Sequence, residues 1–83
     1  MSPSMNEPEI RVALATVFSD VFDGEPFDFS DDLSSEGMES WDSLGHIRLI
    51  MATEEAFGVS FTIDEIEELT TVRHFIDRIS AKL

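Results

Sequence analysis

Apolar residues in this chain recur mostly every three or four positions, in blocks separated by acidic, serine-bearing or Gly/Pro-bearing stretches, so the pattern predicts helices rather than strands. The first block places Ile10, Leu14, Val17 and Val21 at helical spacing, with Ala13 and Phe18 alongside. It predicts a helix from about Glu7, because Pro8 is tolerated in a first turn whose N–H groups have no intrahelical partner. Asp23-Gly24-Glu25-Pro26 ends it: Gly suits the position after a helix, and Pro cannot continue one. A second helix runs from Ser43 to about Phe57 and stops at Gly58. Val59-Ser60-Phe61 reads as a short extended link, and Thr62-Ile63-Asp64-Glu65 offers a capping box for a short third helix through about Leu69. Thr71 caps a last helix in which Val72, Phe75, Ile76, Ile79 and Leu83 form one apolar stripe.

The connection from Pro26 to Trp41 exceeds the roughly 2 to 8 residues usual between helices. Phe27, Phe29 and Leu33 alternate there with polar residues, so the loop is expected to pack across the helices, with a short helical turn near Asp31 to Ser34. The expected fold is all-α: a small antiparallel four-helix bundle, with three main helices, a short third one and a long first loop. Residues 1–6 carry no apolar pattern and are expected to form a flexible tail, leaving 7–83 as a single domain.

Projecting the second helix at about 100° per residue gives it two apolar sides. Leu49, Ile50, Thr53 and Phe57 make a core face, with His46 and Ala56 at its edges. Leu44, Ile47 and Met51 lie on the other side, in the sector of Ser43, bordered by Arg48, Glu54 and Glu55. A helix in a small bundle needs only one apolar face. Either the long loop covers the second one, or a partner protein docks there.

The start of this helix also carries candidate chemistry. Asp42 can cap it by accepting from unpaired backbone N–H groups, which leaves Ser43 at the positive end of the helix dipole. A phosphate on the Ser43 oxygen would be stabilised there.

Composition narrows the alternatives. With 83 residues and no cysteine, the chain has one core, built by side-chain packing and not by disulfides or thiolate-bound metal. A formal charge of -13 repels nucleic acid and anionic membrane surfaces and attracts basic protein patches. No apolar run approaches the roughly 20 residues that span a bilayer, and the N-terminus lacks the pattern of a secretory signal, so a cytoplasmic protein is expected. His46 and His74 have no ligand-spaced partner, and no zinc site is expected. Asp28, Ser30, Asp32 and Glu39 fall at the first, third, fifth and twelfth positions of a calcium loop, but Leu33 stands where the tight turn needs Gly. No nucleophile and base pair suggests an enzyme.

Asp42-Ser43-Leu44, then Glu54-Glu55-Ala56-Phe57-Gly58-Val59, then Leu69-Thr70-Thr71-Val72 together resemble an acyl carrier protein, in order and over nearly the whole chain from about Ile10. The resemblance implies that Ser43 receives 4′-phosphopantetheine from coenzyme A through a phosphopantetheinyl transferase, and that the arm's thiol holds an acyl or aminoacyl group as a thioester. It implies a non-catalytic carrier, expected as a monomer. Its partners would be acyl-activating, synthase or transferase enzymes with basic docking patches, meeting Asp42, Leu44, Ile47, Arg48, Met51, Glu54 and Glu55. The pathway would be fatty-acid, polyketide or other specialised biosynthesis. Gly45 and Arg48 replace acidic residues common in fatty-acid carriers, and Trp41 looks more like specialised carriers, including D-alanyl carriers. An unmodified helical adaptor is the competing reading.

Overall fold

The computed structural model describes residues 5–83, in which α1 (Glu7–Val21), α2 (Ser43–Phe57), α3 (Ile63–Glu68) and α4 (Val72–Lys82) form an all-α bundle. Each helix starts where the sequence provides a cap. Asn6 and Glu9 form a reciprocal capping box on α1, Thr62 and Glu65 do the same on α3, and Thr71 accepts the His74 N–H on α4. Asn6 therefore belongs to the α1 cap, and Met5 packs against the core. The rest of the expected flexible tail, residues 1–4, lies outside the described residues. Gly58 closes α2 at φ 67, a left-handed conformation that residues with a Cβ rarely adopt.

α1 packs against both α2 and α4. Between them lies an aromatic centre: Phe18, fully buried, meets Phe22, Phe27, Phe29, Trp41 and Phe75 at ring-centroid distances of 5.4 to 6.1 Å. The contacts with Phe29, Trp41 and Phe75 are edge-to-face, an arrangement worth about 0.5–1.5 kcal/mol per pair beyond the area buried. Leu49, Ile50, Thr53 and Phe57 of α2 are buried as the periodicity requires, and the Thr53 hydroxyl donates to the Leu49 carbonyl at 2.7 Å. Ala56 and Leu83 fall outside the core. Ala56 is exposed while Ala52, one turn earlier, packs inward; Leu83 lies beyond the end of α4.

The long loop is fastened at several points. Its Phe27, Phe29 and Leu33 pack on the core, as expected, and Met38 is buried as well. The Leu33 and Asp31 carbonyls accept the Val72 and Arg73 N–H groups at 3.0 and 3.1 Å, giving partners to donors that the first turn of α4 cannot satisfy internally. Ser34 forms an antiparallel bridge with Thr71. Near the helical turn expected at Asp31 to Ser34, the Leu33 N–H closes a single turn on the Ser30 carbonyl at 3.1 Å and Ser34 is extended, while the short helical element lies just after, as a 3-10 turn at Ser35–Gly37.

Two guanidinium groups brace the same region. Arg73 reaches Asp77 at 2.7 Å, Glu7 at 2.9 Å and Asp31 at 3.3 Å, while Arg11 reaches Asp31 at 2.5 Å and Glu7 at 3.1 Å. Their hydrogen bonds hold the Glu7 and Asp31 carboxyls below the ordinary carboxylate range, through Arg73 first for Glu7 and Arg11 first for Asp31. No helix among the described residues is long and apolar enough to cross a membrane.

Candidate prosthetic-group site at the start of the second helix

Ser43 is the first residue of α2, and it is exposed. Asp42 precedes it in an extended conformation and accepts the Gly45 N–H through Oδ1 at 2.8 Å, while its carbonyl accepts the His46 N–H at 2.8 Å. The cap fixes where the helix begins and so fixes Ser43 at its open end, beside unpaired N–H groups and the positive end of the dipole.

The approach to Ser43 is set by the chain before it. The Glu25 carboxylate accepts the Glu39 and Ser40 N–H groups, both at 3.0 Å, tying the loop to the turn after α1. Hydrogen bonds from Ser40, and then from the Glu39 backbone, hold the Glu25 carboxyl below its usual range. Gly45 is buried against that loop, and a Cβ on it would fall 2.0 Å from the Ser40 carbonyl oxygen. The resemblance drew attention to a missing acid at this position, but the structure shows that even a methyl group does not fit. Gly45 therefore serves packing and not surface charge.

Trp41 is 3% exposed and so packs in the core, and its Nε1–H donates to His46 Nδ1 at 3.0 Å. An indole N–H only donates and a carbonyl only accepts. His46 Nδ1 is thus an acceptor, and Nε2–H donates to the Ile66 carbonyl at 3.0 Å. This relay joins the loop, α2 and α3 beside Ser43. It borders an open groove of about 550 Å³ between the start of α2 and the link from α3 to α4, into which Ser43 and Asp42 also face.

The second side of α2 stays uncovered. The long loop packs on the core instead, leaving Leu44, Ile47 and Met51 at 60%, 50% and 63% exposure in the sector of Ser43. Arg48, Asp42 and Glu55 are exposed with them. Glu54 stands apart, because its carboxylate accepts the Phe61 N–H at 2.8 Å and fastens the link after α2. Sequence reasoning did not single out Ile63, 76% exposed at the start of α3, nor Ile66 and Glu67 in the groove. Ile63 falls off any apolar stripe in a six-residue helix, where periodicity has too little length to assign faces. Among the described residues, no group of three or more metal-ligating side chains comes together.

Residues 9–79 match the family described as "Phosphopantetheine attachment site". An acyl carrier protein of Thermosynechococcus vestitus (strain NIES-2133 / IAM M-273 / BP-1) is 34% identical over 85 aligned positions, covering 95% of this chain and 98% of that protein. One of Guillardia theta is 30% identical over 79 positions, again covering 95% and 98%. The chain belongs to the acyl carrier protein family. Acyl carrier proteins are non-catalytic carriers whose prosthetic group is 4′-phosphopantetheine. The residues here fit that group: an exposed hydroxyl at a capped helix start, where a phosphodiester would be favoured, opening on a groove along which an arm can lie.

Proposed function

We propose that Ser43 is the attachment point and that this acyl carrier protein presents acyl or aminoacyl groups to the enzymes of a specialised biosynthetic pathway. One observation carries the reading: Ser43 is the exposed first residue of a helix whose cap, preceding loop and neighbouring glycine are all held by short-range contacts. In the attachment, a transferase joins Ser43 Oγ to the phosphorus of coenzyme A. The P–O bond to adenosine 3′,5′-bisphosphate breaks, and the hydroxyl proton leaves. When bound, the group supplies a thiol that holds the cargo as a thioester on a flexible arm, which raises its effective concentration at successive active sites. The rigid start of α2 fixes the arm's root. The chain itself needs no catalytic base.

The exposed Leu44, Ile47 and Met51, with Asp42, Arg48 and Glu55 around them, support a docking face for the transferase and for cargo-handling enzymes. Overall charge supports partners with basic patches and a monomer kept apart from its own copies. Incubation with coenzyme A and a broad-specificity phosphopantetheinyl transferase is expected to add one phosphopantetheine by intact mass, and Ser43→Ala to abolish the addition. A wild-type chain left unmodified by several active transferases would refute the carrier reading and favour an unmodified adaptor.

A further inference from the structure

We propose that the cargo of this carrier is a short acyl group bearing hydrogen-bond donors, a hydroxyl or an ammonium, held in the surface groove beside Ser43, and not a long aliphatic chain drawn between the helices. The inference rests on Ser43 being the attachment point and concerns what the arm delivers. The floor of the groove is closed. Trp41 and Leu69 lie beneath it, at 3% and 0% exposure, and the Trp41 ring packs against Phe18 and Phe75 at 5.4 and 6.1 Å. An alkyl chain passing between α2 and α3 would have to part His46 Nε2–H from the Ile66 carbonyl, the 3.0 Å bond by which the Trp41–His46–Ile66 relay crosses from one helix to the other. It would separate an imidazole N–H from a carbonyl, both half-buried, and cover them with alkyl chain that offers no hydrogen bond in exchange.

The rim has a different character. The Asp42 and Glu67 carboxylates and the Ser35 and Thr70 hydroxyls border it, and no cation does so among the described residues. These are mostly acceptors, so they match a cargo that donates. Like-charge repulsion disfavours a carboxylate-bearing cargo there.

The cargo series is loaded onto apo protein by transferase from octanoyl-, acetyl-, glycolyl- and alanyl-coenzyme A, and loading is read by intact mass. A failure to load counts against Ser43 as the attachment point, whereas the present inference is read only on loaded protein. In 1H–15N spectra, the glycolyl and alanyl forms are expected to shift the Glu67, Leu69 and Thr70 amides relative to the acetyl form. The octanoyl form is expected to leave the Trp41 Nε1–H resonance and the Tm at their values without cargo. An octanoyl form that moves the Trp41 resonance and raises the Tm by several degrees would overturn the proposal, as would donor-bearing cargoes indistinguishable from acetyl. In His46→Ala the bridge is absent, so octanoyl should now move the Trp41 resonance relative to that variant's own unloaded form. No movement there would remove the relay from its role as the seal.

Discussion

Gly45→Ala tests whether shape holds the loop in front of Ser43. The new Cβ would lie 2.0 Å from the Ser40 carbonyl oxygen, 3.1 Å from its carbonyl carbon and 3.2 Å from Phe22 Cε1. The two closest atoms are backbone, so no side-chain rotation relieves them and either Ser40 or the first turn of α2 must move. Two effects oppose each other. Replacing a helical Gly by Ala is worth up to about 1 kcal/mol in helix propensity where space allows. Forcing an extra carbon into a packed region costs about 1–3 kcal/mol, and moving Ser40 also loosens the bonds that Glu25 makes to the Glu39 and Ser40 N–H groups. The clash wins. The expected net loss is about 1–2 kcal/mol, which in a domain of this size lowers the Tm by about 4–16 °C. Urea unfolding followed by far-UV circular dichroism measures the free energy directly. The rate of phosphopantetheine transfer should fall as well, since Ser40 lies three residues before Ser43. A variant as stable as the parent, or more so, would show that propensity dominates and that the close approach of Ser40 is not a constraint.

Glu25→Gln probes the same junction through pH. The folded-state carboxyl of Glu25 is depressed, so its contribution is present above the ordinary value of 4.5 and is lost as pH falls through the lower folded value. Thermal melts of parent and variant should therefore differ at pH 7 and converge on acidification, and a gap independent of pH would rule out the carboxylate's role. Trp41→Phe removes the donor to His46 Nδ1 while keeping an aromatic ring, and is expected to cost about 1–3 kcal/mol in chemical denaturation; a cost within experimental error would mean the relay adds nothing. Arg48→Glu sits on the exposed side of α2 and should leave stability within about 0.5 kcal/mol. It should also change the relative rates at which different transferases and synthases accept the protein, and equal rates across a panel would take Arg48 out of partner selection.

The parts of the structure that depend on neighbouring residues could be read from the sequence. The four helices, the Asp42, Thr62 and Thr71 caps and the Gly58 stop follow from contacts within four residues, and each is found where the pattern put it. The second apolar side of α2 was readable for the same reason, because one helix projection assigns all its sides; whether the long loop covers it was not, and the exposure of Leu44, Ile47 and Met51 decided that. Contacts across the chain were not. Glu25 meets backbone 14 and 15 residues away, and His46 meets a carbonyl 20 residues away, through atoms whose availability no side-chain pattern encodes. Met38 stands alone in a polar stretch, where a single apolar residue makes no period. Gly45 is the sharpest case: likeness to other carriers marks what the position lacks, while the Ser40 carbonyl that excludes anything larger is brought there by the fold.

The distribution of positive charge bears on how such a carrier can choose among enzymes. Arg11 and Arg73 pair with Glu7 and Asp31, Arg78 with Glu68, and Lys82 with Glu65. Among the described residues Arg48 alone of the five cations enters no ion pair, and it stands in the exposed apolar sector that opens at Ser43. Screening separates the two scales on which charge acts, since the Debye length is about 8 Å at physiological ionic strength. Within about that distance but short of contact, an approaching basic patch senses mainly the summed negative field of the molecule. A partner docked on the proposed face would meet the exposed Arg48 guanidinium, which would repel a lysine or arginine placed to receive an acid and favour a carboxylate or carbonyl in its stead. On the proposed docking face, encounter would then be general for basic surfaces, and Arg48, five residues along α2 from Ser43, would add discrimination at contact.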